Sequence, residues 1–257
     1  MNKKVSLETF FRKVKEGGSL LLLDYDGTLA PFHINPERAK PYEGVFERLL
    51  QLLESKKTKV IIISGREVQT LAGLLDMEKL PELWGSHGTE RLLKNGEYSR
   101  VKISKKQREG IERGLWYVLE HISPDRFENK TASIAIHWRG LSEEKKTKMK
   151  EAVFPQWEKI ARMCDLEVHD FDGGLELRPR GFSKAIAIQI ILEEQKDEGQ
   201  IAYLGDDKTD EEAFQELGER GLKVLVRKKI RETKADIHIQ PPGELLGFLD
   251  RWIECST

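Results

Sequence analysis

Two cysteines in 257 residues, Cys164 and Cys255, supply no disulfide framework, and their separation rules out a CxxC metal site. No apolar run approaches the roughly 20 residues that a membrane span needs. Residues 1–18 are polar and charged, without the apolar stretch of a secretory signal, so the expected location is cytoplasmic with no membrane partner. Charge of one sign is also missing. Lys plus Arg (43) nearly cancels Asp plus Glu (44), which gives no reason to expect a nucleic-acid partner and makes any anion site a local one. No internal repeat, low-complexity tract or long Pro/Gly/Ser linker divides the chain. What remains is 39% hydrophobic and 34% charged, and long enough for a core domain with a smaller insert.

Short apolar runs alternate with amphipathic stretches, the pattern of a parallel sheet covered by helices. Strands are expected at Ser19–Leu23, 59–63, 83–85, 201–204, Leu222–Val226 and 236–239, with helices at 42–55, 67–75, 183–194 and 210–217. The middle reads differently. It has a hairpin around Asn95-Gly96, a helix at Lys105–His121, an alternating strand at 131–138 and a charged helical stretch at 142–163 broken or kinked near Pro155. Strands at Leu166–Phe171 and 175–178 then flank an Asp172-Gly173-Gly174 turn. Strands joined by tight turns are antiparallel, so this block reads as an α+β insert at 90–179 within a core of 1–89 and 180–257. Trp116 and Tyr117 are expected to pack in a core. The basic cluster Arg227, Lys228, Lys229 and Arg231 is expected to solvate a strand exit.

In an open parallel sheet, functional groups gather at the carboxyl ends of the strands. Here those ends carry Asp24 and Asp26, Ser64, and Asp206, Asp207 and Asp210, with Lys184 opening a nearby helix. Singly, each is an ordinary cap or turn residue. Together they fill every role of a phosphoryl transfer. Asp24 can attack phosphorus and also ligate a hard cation, and Asp206 with its neighbours completes an acidic shell suited to Mg²⁺. Asp26 can protonate the leaving oxygen and then activate water. Ser64 and the amides after it, with Lys184, can hold phosphoryl oxygens.

Asp24-Tyr25-Asp26-Gly27-Thr28 resembles the DxDGT signature of the haloacid-dehalogenase-like phosphatases, and Ser64, Lys184 and Gly205-Asp206-Asp207-Lys208-Thr209-Asp210 match the remaining motifs in order. The resemblance implies a Rossmann-like α/β core with an inserted α+β cap of the C2 type. It implies a Mg²⁺ bound by Asp206, the Asp24 side chain and the Asp26 backbone carbonyl, with Asp207 and Asp210 in support. Thr28, Ser64, Gly65, Arg66 and Lys184 would bind phosphate. The family has glycine after the motif lysine, where this chain has Ala185, which leaves Arg180 open as an alternative cation.

A finer resemblance, to the trehalose-6-phosphate phosphatases, spans nearly the whole chain. It is carried by Ser64-Gly65-Arg66, Gly85-Ser86-His87-Gly88 and Gly205 to Phe214, and in the insert by Glu128-Asn129-Lys130, His137-Trp138-Arg139 and Glu176-Leu177-Arg178-Pro179. It implies a small-molecule sugar phosphate substrate held by His87, Glu128, Lys130, His137, Arg139, Glu176 and Arg178, and hydrolysis of trehalose 6-phosphate. A monomer is expected, with functional pairing to a separate trehalose-phosphate synthase. In the 131–138 strand, alternation places Ser133, Ala135 and His137 opposite Ile134, Ile136 and Trp138. The competing readings are a phosphatase for glucosylglycerol phosphate or sucrose 6-phosphate, and a sugar phosphomutase. The last would need clustered cap arginines, and the mixed-charge cap pattern argues against it.

Overall fold

The computed structural model describes residues 6–33, 35–171, 173–195 and 199–256. In chain order the first segment runs α1 (Leu7–Glu16), β1 (Ser19–Leu23), α2 (Val45–Glu54), β2 (Thr58–Ile63), α3 (Val68–Leu75), β3 (Glu82–Gly85), β4 (Glu90–Leu92) and β5 (Tyr98–Arg100). The middle holds α4 (Lys105–His121), β6 (Phe127–Asn129), β7 (Ile134–His137), α5 (Glu143–Cys164), β8 (Leu166–Phe171) and β9 (Gly174–Pro179). The last segment adds α6 (Lys184–Glu194), β10 (Gln200–Gly205), α7 (Thr209–Leu217), β11 (Leu222–Val226), β12 (Ile237–Ile239) and α8 (Gly243–Ser256). The chain divides into two compact units, Met1–Ser99 with Ser183–Thr257, and Arg100–Phe182.

The first unit is built on an eight-stranded sheet of order β12-β11-β10-β1-β2-β3-β4-β5. It is parallel from β12 to β3 and antiparallel between β3 and β4. The central strand, Ser-Leu-Leu-Leu-Leu, is buried throughout, as a strand covered on both faces must be. Alternation splits it between two cores. Leu21 and Leu23 pack with Phe11, Leu49 and Trp252, while Leu20 and Leu22 pack with Ile188, Tyr203 and Phe214. β1 lies between β2 and β10 with Leu23 level with Ile62 and Leu204, so the loops after these three strands open at one edge.

The second unit is a four-stranded antiparallel sheet, β6-β7-β9-β8, carrying α4 and α5 on its apolar face. Ile134, Ile136, Leu175 and Leu177 meet Ile111, Val118, Val153 and Trp157 there. α4 comes close through Gly114, where a Cβ would stand 2.5 Å from Leu177 Cδ2.

Several expectations are corrected. The Asn95-Gly96 hairpin, expected in the insert, extends the sheet of the first unit, because β4 pairs with β3. α5 runs unbroken through Pro155: Val153, Trp157, Ile160 and Ala161 are buried on both sides of the proline, and that packing outweighs the lost hydrogen bond. The 131–138 strand shortens to β7 and gains β6 as an unforeseen neighbour. Trp116 is exposed rather than in the core. The inward stripe of α4 is Gln107, Gly110, Ile111, Gly114 and Val118, and Trp116 lies roughly 200° round from Gly114. Of the Asp172-Gly173-Gly174 turn, Asp172 lies outside the described residues.

Candidate active site

Asp24 follows β1 directly, its amide donating to Leu204 O at 2.8 Å, and is buried. Both carboxylate oxygens are held. Lys184 Nζ lies 2.6 Å from Oδ1, and the Thr28 hydroxyl donates to Oδ2 at 2.9 Å. The loop between Asp24 and Thr28 turns at Gly27 (φ 84°), where a Cβ would stand 2.2 Å from Asp206 Oδ2. Only glycine lets the first and last acidic motifs come this close.

Lys184 is the first residue of α6 and is buried between two carboxylates, 2.6 Å from Asp24 and 2.7 Å from Asp210. Arg180, the alternative cation, donates instead to Leu166 O and faces Asp165 in the second unit. Asp210 is a hub. Oδ1 accepts from Tyr203 and Lys184, and Oδ2 accepts from the amides of Asp206 and Asp207, each at 2.9 Å. Burial opposes the charge on Lys184, but Asp210 and Asp24 outweigh it and raise its pKa. Burial, reinforced by Asp210, likewise raises the Tyr203 phenol well above its usual range and keeps it a donor.

Tyr203 was not foreseen, because an aromatic in an apolar run reads as core. Arg231 and Arg227, expected to solvate a strand exit, instead reach the acidic loop: Arg231 Nη2 donates to Asp207 O at 2.7 Å and to Asp206 O at 3.2 Å, and Arg227 Nη1 donates to Asp206 O at 3.2 Å. The available signal was strand adjacency. β11 is parallel to β10, so the loop after one emerges beside the loop after the other.

Ser64 directly follows β2, its amide donating to Trp84 O, and its hydroxyl accepts from the Arg66 amide at 3.1 Å. Arg66 grips Asp26 with both ends of its fork, Nε to Oδ2 and Nη2 to Oδ1, each at 2.6 Å, and also reaches Pro36 O. This residue, expected on phosphate, thus lies against the second motif aspartate. His87 packs on Gly65.

The second unit gathers its candidate residues on the sheet face opposite the apolar one. Register places Glu128, Ala135, Glu176 and His169 in one row. Glu176 Oε1 accepts from Lys130 at 3.0 Å and Ser133 at 2.7 Å, while His137 Nε2 lies 3.5 Å from Glu128. Arg178 pairs with Glu167 at 2.8 Å and meets His169, and Arg139 lies over Gly173. Burial works against the Glu128 charge, but Lys130 and His137 outweigh it and hold this carboxyl below its ordinary value.

The acidic loop fits a cation. Asp24, Asp206 and Asp210 each offer an oxygen, all within 4.8 Å of one another. Asp206 Oδ1 is buried without a hydrogen-bond partner. Burial pushes Asp24 from 3.8 up to about 7, with Lys184 opposing and Asp210 adding to the shift. Burial, then Asp24 and Asp210, raises Asp206 well above the carboxylate range. A buried oxygen without a donor, in an all-oxygen set carrying more negative than positive charge, suits a hard divalent ion.

The strand-end aspartate with its paired lysine, the serine loop and the buried acidic loop stand on a fold of the haloacid-dehalogenase-like class. The fold matches a HAD-superfamily phosphatase from Bacteroides thetaiotaomicron at TM-score 0.58 and 18% identity over 92% of this chain and 95% of that one. It matches the trehalose-6-phosphate phosphatase C-terminal domain of C. albicans at TM-score 0.83 and 22% identity over 97% of both chains. The chain belongs to the trehalose-phosphatase family, whose model matches residues 22–240, and is accordingly a phosphoric monoester hydrolase. It is 29% identical to trehalose 6-phosphate phosphatase RA3 of Zea mays over 90% of this chain and 68% of that protein. It is 27% identical to trehalose-phosphate phosphatase B of Arabidopsis thaliana over 91% of this chain and 66% of that protein.

Proposed function

We propose that the chain hydrolyses trehalose 6-phosphate to trehalose and phosphate, with Mg²⁺ as cofactor and an aspartyl-phosphate on Asp24 as intermediate. The observation that carries the chemistry is Asp24 itself, buried at a strand end, fixed through both oxygens by Lys184 and Thr28, beside an acidic loop with an orphaned oxygen. Asp24 and Asp206 with the Asp26 carbonyl would hold the ion, and Asp207 and Asp210 would support it. When bound, Mg²⁺ neutralises charge on the phosphoryl oxygens.

An Asp24 oxygen forms a bond to phosphorus as the bond to the sugar oxygen breaks, and Asp26 delivers a proton to that oxygen. Asp26 then takes a proton from water as the water oxygen attacks phosphorus, and Asp24 leaves as carboxylate with phosphate released. Arg66 takes one lone pair on each Asp26 oxygen, so the reacting state either uses a remaining lone pair or trades one of those bonds for the leaving oxygen. Ser64 and Lys184 hold phosphoryl oxygens. The second unit serves as the substrate-recognition cap, with Glu128, Lys130, His137, Arg139, Glu176 and Arg178 reading sugar hydroxyls through charged donors and bidentate acceptors. The family match and the named relatives support trehalose 6-phosphate as the substrate.

The test is phosphate release with Mg²⁺ from trehalose 6-phosphate, glucose 6-phosphate, sucrose 6-phosphate and glucosylglycerol phosphate. Trehalose 6-phosphate is expected to be turned over with the highest kcat/KM, and equal rates would refute the substrate. A product yield that depends on glucose 1,6-bisphosphate would indicate a mutase. Asp24→Asn is expected to fold and to lose turnover on every ester. Retained hydrolysis would refute the nucleophile.

A further inference from the structure

His87 has two readings: a group that contacts the sugar, or a group that holds the loop contacting the phosphate. The turn in which it sits favours the second. Ser86 and His87 both adopt left-handed backbone, φ 47° and 55°, a conformation that L residues rarely take and that costs energy at each. That geometry aims two consecutive amides at the neighbouring loop. Ser86 N donates to Arg66 O at 2.7 Å, and His87 N donates to Ser64 O at 3.1 Å. The imidazole then lies flush on the residue between them: a Cβ on Gly65 would stand 2.6 Å from His87 Cε1 and Nε2. Gly65 is not among the residues with positive φ, so it is glycine there for room and not for conformation. The loop is clamped at all three residues, and its last residue, Arg66, grips Asp26.

We propose that His87 is a positioning residue that fixes the 64–66 loop, and through it the phosphate site and Arg66, and that it does not read the sugar. This rests on the phosphatase reading for its assay. The discriminating variants are His87→Gly, which removes the ring and relieves the left-handed backbone, Gly65→Ala, and the two combined. Competitive inhibition by inorganic phosphate and by trehalose is measured separately, beside kcat/KM for trehalose 6-phosphate and for p-nitrophenyl phosphate, with Tm as the folding control.

His87→Gly is expected to weaken inhibition by phosphate and lower kcat/KM on both esters by a similar factor, about ten- to a hundredfold. Inhibition by trehalose should be unchanged. Gly65→Ala alone should be at least as damaging, but should add no further loss once His87 is glycine. A defect confined to trehalose 6-phosphate and trehalose inhibition would overturn the proposal, as would independent, multiplying losses from the two substitutions. If Gly65→Ala does not fold, the phosphate and trehalose inhibition constants of His87→Gly decide alone. If wild type proves not to prefer trehalose 6-phosphate, that is a failure of the substrate reading, and the phosphate inhibition constant with the p-nitrophenyl phosphate rates still decides this one.

Discussion

Asp206 and Tyr203 show how single side chains here are set against one another. Asp206 brings a carboxylate with an orphaned oxygen into a buried site that already holds Asp24 and Asp210. Asp206→Asn removes that repulsion while keeping the size. Without metal, the variant is expected to melt above wild type by a few degrees, roughly 2–4 °C per kcal/mol for a chain of this length. Mg²⁺ should raise the Tm of wild type and leave that of Asp206→Asn unmoved, with activity lost. A metal-induced shift of equal size in both would show that the ion is held elsewhere. Tyr203→Phe takes one of four donors from a fully buried acceptor, Asp210, at a cost of about 1–3 kcal/mol. Because Asp210 also holds Lys184 and the Asp206 and Asp207 amides, kcat should fall about ten- to a hundredfold, with inhibition by trehalose unaltered. At this scale the strand-end positions of Asp24, Ser64 and Asp206 and the helix-opening position of Lys184 were legible from the apolar and helical patterns around them, whereas their proposed roles came from their conjunction and from the family resemblance. Tyr203 was hidden by its apolar neighbours. The Arg66–Asp26 fork joins residues far apart in the chain, which no local pattern can report.

Helices and strands were legible wherever burial imposes a period, and least so where packing overrides local preference. The buried strands β1, β2, β10 and β11 fall close to their expected bounds because each is dominated by buried apolar residues. The short strands β4 to β6 carry little apolar signal, and only pairing defines them. α5 is the clearest override: a proline that should end a helix is carried through by Val153, Trp157 and Ile160 packing on the second sheet. Pro155 itself is exposed, so its side chain contributes little there. Pro155→Ala should restore a backbone donor and stabilise the protein by about 1–3 kcal/mol, read by denaturant unfolding. A loss of stability would mean that the helix is shaped around the proline and that its packing depends on that shape.

At the scale of the whole molecule, and among the described residues, the apolar core of the second unit shares no residue with the two cores that sandwich the parallel sheet. The residues proposed for phosphoryl chemistry belong to one unit, and those proposed for sugar recognition, from Glu128 to Arg178, to the other. Chemistry and substrate choice should therefore be separable by a core mutation within the second unit that replaces none of the proposed recognition residues. Trp157 is fully buried at the centre of the second core and donates to Gly114 O. Trp157→Ala should cost about 3–5 kcal/mol, a large share of what one such core can supply. The expected result is a protein with the second unit loosened, seen as a separate low-temperature transition in calorimetry. It should have lost most of its kcat/KM for trehalose 6-phosphate while still hydrolysing p-nitrophenyl phosphate. Substitution of Glu176 by Gln should give the same kinetic split without the thermal transition, since it removes a charge from the recognition face and leaves the core intact. Equal losses on both esters, in either variant, would mean that the second unit is needed for the phosphoryl transfer itself, and the assignment of substrate choice to it would fall.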